Sequence, residues 1–123
     1  MAEKIKILIA EDEKAIARAM DLKLQYEGFE TKVAVDGQQA LDFLQAEKFD
    51  LLILDLIMPQ LDGFKVLAAM KEKNIKTPVI ITSNLSQQED IDKAKELGAF
   101  EFFIKSDTPI AQIVEKIKNF FKL

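Results

Sequence analysis

Apolar residues fall in short runs separated by longer stretches of helical period, and this alternation repeats five times along the 123-residue chain. Residues 5–9 form a run dense enough for a buried strand. Ile16, Met20 and Leu24 then recur every four residues, the spacing of one helix face, until Gly28 stops the pattern. Residues 31–35 predict a second strand. Asp36, with Gln39 three residues later, reads as a capping box opening a helix that turns Ala40, Leu41 and Leu44 inward. Residues 51–54 are the most apolar run and stop at Asp55. Asp62 caps the next predicted helix, with Phe64, Leu67 and Met70 inside. Pro78 leads into a strand over 79–82, Ser86 and Glu89 form a second capping box, and Gly98 ends that helix. Residues 100–104 predict the fifth strand. Thr108 as N-cap and Pro109 as first helical residue then open a last helix that buries Ile110, Ile113, Val114, Ile117 and Phe121.

Strands as uniformly apolar as 51–54 and 79–81 have no face for water, so both faces are covered. Right-handed crossovers then favour an open parallel sheet between two helical layers. Five strand–helix units suit a flavodoxin-like (βα)5 fold of order 2-1-3-4-5, although periodicity alone does not fix strand order. No linker or low-complexity tract divides residues 1–123, so a single domain is expected.

Composition narrows the chemistry. Cysteine and histidine are both absent, which excludes disulfides, thiolate or imidazole metal sites, and Ser-His or Cys-His catalysis. A net charge of −4 with interspersed signs offers no basic face, so direct nucleic-acid binding is not expected. The N-terminal residues lack the basic and apolar regions of a signal peptide, and no apolar run is long enough to span a bilayer. A cytoplasmic protein that does not engage membranes is the expectation.

In open α/β sheets, ligands gather beyond the carboxyl ends of the strands. Those ends carry Glu11 and Asp12 after strand one, Asp55 after strand three, Thr82 and Ser83 at strand four, and Lys105 after strand five. Clustered carboxylates repel one another, and a hard divalent cation such as Mg2+ relieves the repulsion through oxygen ligands. Phosphoryl transfer needs mainly positioning and charge stabilisation. Asp55 is suited to attack as nucleophile, while Thr82 donates a hydrogen bond to the phosphoryl group and Lys105 pairs with it. Each residue alone also has a bland reading: helix cap for Glu11-Asp12, strand residue for Thr82, solvated loop lysine for Lys105. Only their coincidence at neighbouring strand ends carries weight.

Those same residues resemble the response-regulator receiver domains of two-component signalling, of the stand-alone, chemotaxis-regulator type. The resemblance runs through Lys6-Ile7-Leu8-Ile9-Ala10-Glu11-Asp12-Glu13, Asp36-Gly37, Leu54-Asp55-Leu56-Ile57-Met58-Pro59 and Asp62-Gly63. It continues through Pro78-Val79-Ile80-Ile81-Thr82, Gly98-Ala99 and Phe102-Phe103-Ile104-Lys105. Receiver folds are themselves among the examples behind the strand-end rule used above. The resemblance implies that Asp55 is the phosphoacceptor. It implies that Asp12, Asp55 and the Ile57 backbone carbonyl hold Mg2+ directly, with Glu11 acting partly through water. It further implies that Thr82 and Lys105 contact the phosphoryl group, and that Thr82 and Phe102 form the switch.

A histidine kinase or phosphotransfer protein is the implied donor, and a downstream protein target is the implied reader of the surface formed by helix four, strand five and helix five. The chain is thereby expected to be a switch rather than an enzyme, without an effector domain, monomeric or dimerising on phosphorylation. A phosphorylation-independent scaffold and a receiver belonging to a longer regulator are the competing readings. Two departures stand out. Ser106 replaces the proline that usually follows the site lysine, so a trans Lys105–Ser106 bond is expected, because a non-proline cis bond costs about 2.5–4 kcal/mol. Ser83 replaces the small alanine common after the switch threonine. Ile57 and Asn84 stand where receivers vary the lifetime of the phosphate.

Overall fold

The computed structural model describes residues 4–123. Its strands are β1 (Lys6–Ala10), β2 (Glu30–Ala34), β3 (Leu51–Leu54), β4 (Val79–Ser83) and β5 (Glu101–Ile104). Its helices are α1 (Lys14–Tyr26), α2 (Gly37–Ala46), α3 (Gly63–Glu72), α4 (Gln88–Glu96) and α5 (Ile110–Phe120), with a short 3-10 turn at Lys105–Asp107. The strands form one all-parallel sheet in the order β2-β1-β3-β4-β5, as the sequence led us to expect.

The pleat explains why the central strands are apolar at every position. Leu8, Ala10, Leu52, Leu54, Val79 and Ile81 alternate onto one face, where they join Leu41 and Leu44 of α2 and Val66 and Leu67 of α3. Ile7, Ile9, Leu51, Ile53, Ile80 and Phe103 take the other face, against Met20 and Leu24 of α1 and Ile113, Val114 and Ile117 of α5. Each Val, Leu, Ile, Met or Phe side chain so removed from water stabilises the fold by about 1.5–3 kcal/mol. The edge strand β2 leaves Glu30 and Lys32 exposed, and charges there discourage pairing with another chain. No helix among the described residues is long and apolar enough to cross a membrane.

Helix starts agree with the sequence where an aspartate caps them. Asp36 Oδ1 accepts from Gln39 N at 2.7 Å, and Asp62 Oδ1 accepts from Lys65 N at 2.9 Å. The reciprocal half of the first capping box is displaced by one residue, because Gln39 Oε1 accepts from Val35 N (2.8 Å) rather than from Asp36 N. Two expected starts are wrong. Ser86 and Glu89 do not form a capping box: α4 begins at Gln88, with Gln87 extended (φ −76°, ψ 142°) and no side-chain cap. Ser83 Oγ accepts from Leu85 N at 3.3 Å, and this turn delays the helix. Thr108 is not the N-cap of α5 either. Pro109 takes that place with ψ 148°, outside the helical region, and Thr108 before it is extended, as residues preceding proline prefer.

Candidate functional site

The sheet register assembles the site. Ala10 pairs with Leu54, so Glu11 and Asp55 leave adjacent central strands at the same level, and Asp55 N donates to Ala10 O at 3.0 Å. Leu54 pairs with Ile81, which brings Thr82 level with Asp55. Ser83 pairs with Ile104, so Lys105 emerges just beyond β5. Because the chain leaves β1 for β2 on one side while β3 lies on the other, the crevice between β1 and β3 is the topological switch point.

Glu11 and Asp55 are each 3% exposed, and Thr82 is 4% exposed. Buried carboxylates need partners, and both have them. Asp55 Oδ1 accepts from Ile57 N at 3.2 Å and Oδ2 from Lys105 Nζ at 3.0 Å. Lys105 Nζ also lies 2.6 Å from Glu11 Oε1 and 3.5 Å from Glu13 Oε1, while Glu11 Oε2 accepts from Glu13 N at 3.1 Å. Burial pushes the Glu11 carboxyl above the usual range, against the opposing hydrogen bond from Lys105. Burial pulls the Lys105 ammonium down, but hydrogen bonds to Glu11 and Asp55, with the attraction of both charges, outweigh it and leave the amine raised. Lys105 is thus held as a cation among the acids.

Carboxylate oxygens of Glu11, Asp12 and Asp55 all lie within 4.8 Å of one another. An all-oxygen set of this kind fits a hard divalent cation and not a soft one.

The response regulator receiver domain matches this chain over residues 7–118. The chain belongs to that family. Receivers of the family are signalling switches rather than conventional enzymes, and they interact with histidine kinases. This receiver is 35% identical over 107 residues to a probable transcriptional regulator, ycf27, of Porphyridium aerugineum, covering 87% of the chain and 44% of the relative. It is 31% identical over 104 residues to the alkaline phosphatase synthesis regulatory protein PhoP of Bacillus subtilis, covering 85% of the chain and 43% of the relative. The chain therefore spans under half the length of these curated relatives. The solved receiver domain of Francisella response regulator 1452 superposes with a TM-score of 0.90 at 32% identity, covering 97% of this chain and 98% of that one.

Glu11, Asp12, Asp55, Thr82 and Lys105 come together at the strand ends, whereas Phe102 packs on the core. The Lys105–Ser106 peptide is trans, since the described residues contain no cis bond. Asp12 is exposed, Phe102 is half-buried against the α2–α3 side of the core, and the Ile57 side chain is 56% exposed. Glu13 was assigned no role from the sequence. Its approach to Lys105 depends on how the chain turns from β1 into α1, which no local pattern reveals.

The motif glycines at 37 and 63 acquire a reason from close approach. A Cβ on Gly63 would lie 2.5 Å from Asp55 O and 2.7 Å from Leu56 Cα. Gly63→Ala is therefore expected to push the backbone at Asp55 and Leu56 and to destabilise the receiver by about 1–3 kcal/mol, read by denaturant unfolding. An unchanged unfolding midpoint would show that the backbone yields freely there.

Proposed function

We propose that this receiver takes a phosphoryl group from a phosphohistidine of a partner kinase or phosphotransfer protein onto Asp55. The observation that carries the reading is the set of buried or half-buried groups, Glu11, Asp55, Thr82 and Lys105, brought together at the sheet's switch point by strand register. An Asp55 carboxylate oxygen attacks phosphorus, the new O–P bond forms, and the bond from phosphorus to the donor nitrogen breaks. No general base is required, because an ionised carboxylate attacks directly. Lys105 moves from its carboxylate partners to a phosphoryl oxygen, and the Thr82 hydroxyl donates to another.

Glu11, Asp12, Asp55 and the backbone carbonyl of Ile57 would hold Mg2+, which supplies charge neutralisation for the incoming phosphoryl group. Output would run through α4, β5 and α5, with Phe102 as the switch aromatic. Within α4 only Ala94 is fully buried, while Ile91 and the Leu97 just beyond its end are half-buried. A helix so lightly anchored shifts at low cost, which suits a two-state element. The reader of that surface is a downstream protein, on a separate chain or in an attached unit. The Phe102 ring has no hydroxyl, so its inward and outward states would differ by packing alone.

Intact-mass measurement tests the proposal. With a small acyl-phosphate donor and Mg2+, the chain is expected to gain one phosphoryl group, at a rate falling roughly a hundredfold or more on chelation. A full rate under chelation would remove the metal assignment. No gain with any donor or kinase would favour a phosphorylation-independent scaffold.

A further inference from the structure

Lys105 is the longest reach in the site. It stands at the end of the edge strand β5, yet its ammonium lies between Glu11 and Asp55 beyond β1 and β3, with its side chain only 9% exposed. A flexible four-carbon stem does not hold such a position unless the backbone beneath it is fixed. The backbone after Lys105 is a single 3-10 turn, closed by Thr108 N donating to Lys105 O at 3.4 Å. That is a weak bond for this task. A second anchor comes from the loop after the neighbouring strand β4: Ser106 N donates to Asn84 Oδ1 at 3.2 Å.

Asn84 is itself held. Ser83, next to it, is fully buried at the end of β4, and its Oγ accepts from Leu85 N at 3.3 Å. This bond fixes the turn on which Asn84 sits and aims its amide at the β5–α5 loop. A proline at 106 has no N–H and makes no such bond. Ser83, Asn84 and Ser106 therefore form one connected unit, running from a buried strand end to the residue after Lys105.

We infer that Asn84 is a positioning residue that clamps the β5–α5 loop through Ser106 N and so holds Lys105 over Asp55. The clamp also ties the segment after Thr82 to the segment after Lys105, so the two groups proposed to contact the phosphoryl group are linked by one side chain. The role assigned to Lys105 rests on the proposed phosphoryl transfer; the clamp itself rests only on the geometry.

Limited acetylation of lysines, quantified by peptide mass spectrometry, tests the clamp without any phosphate. Asn84 is exposed, so its truncation leaves the core intact. In Asn84→Ala, Lys105 is expected to label about fivefold faster, the factor one hydrogen bond is worth, while Lys6 and Lys118 label as in the wild type. Asn84→Asp keeps the acceptor oxygen and is expected to leave Lys105 protected. Unchanged labelling of Lys105 in Asn84→Ala, or an equal rise at all three lysines, would overturn the inference. So would deprotection in Asn84→Asp as large as in Asn84→Ala. Phosphate uptake in the same variants separates the two proposals: a wild-type chain that takes no phosphate but loses Lys105 protection in Asn84→Ala sinks the function and leaves the clamp standing.

Discussion

Asp55→Asn is expected to abolish phosphoryl uptake while leaving the receiver folded. The amide has no anionic oxygen to attack phosphorus, and no neighbouring acid takes over. Glu11 already spends both oxygens, one on Lys105 at 2.6 Å and one on Glu13 N at 3.1 Å, and Asp12 is exposed. Removing one member of a buried ion pair normally costs about 3–5 kcal/mol, because it strands the other charge. Here Lys105 keeps Glu11 and Glu13, and the substitution removes one of the three acidic groups paired with the ammonium. Asparagine also retains an oxygen for Ile57 N. The net change in stability is therefore expected within about 1 kcal/mol, read from denaturant unfolding beside the uptake assay. Loss of uptake together with loss of folding would remove its meaning as evidence for the acceptor.

Gly37→Ala is expected to have the largest effect on stability. A Cβ at this position would lie 1.7 Å from Leu61 O, 2.6 Å from Leu61 C and 2.9 Å from Leu61 Cβ. Two of these obstacles are backbone, so no rotamer change relieves the overlap, and either α2 or the loop preceding α3 must move. That loop carries Asp62, the cap of α3, and follows directly on β3 and Asp55. A cost of about 3 kcal/mol follows from overpacking against backbone, or a fall in Tm of roughly 10 °C for a domain of this size. Calorimetry of the variant checks it, and a fall under roughly 2 °C would show that the two segments separate freely.

The fold was legible because its strongest signals are nonlocal in consequence and local in form. A run such as Leu51–Leu54 with no polar position demands cover on both faces, and five such units leave few topologies. The site followed from the same signals, since polar residues closing adjacent strands meet at their carboxyl ends. Helix starts were less legible where a distant or neighbouring constraint overrode a cap. Ser86 lost to the Ser83–Leu85 turn, and Thr108 lost to the extended backbone that Pro109 imposes. Contacts between loops were not legible at all. The Ser106–Asn84 bond and the approach of Glu13 to Lys105 join segments whose relation exists only once β4, β5 and β1 are in register. Gly37 and Gly63 belonged to recognisable motifs, but the reason for them lies in backbone passing within a Cβ radius.

The most direct test of the account is where the phosphoryl group resides. Borohydride reduces an acyl phosphate to an alcohol, expelling phosphate, so a phosphorylated aspartate becomes homoserine while phosphoserine and phosphothreonine are untouched. Treating the donor-loaded chain in Mg2+ and sequencing its peptides by mass spectrometry is expected to find residue 55 alone converted. Conversion at Glu11 or Asp12, or a phosphate that resists borohydride on Thr82 or Ser83, would contradict it.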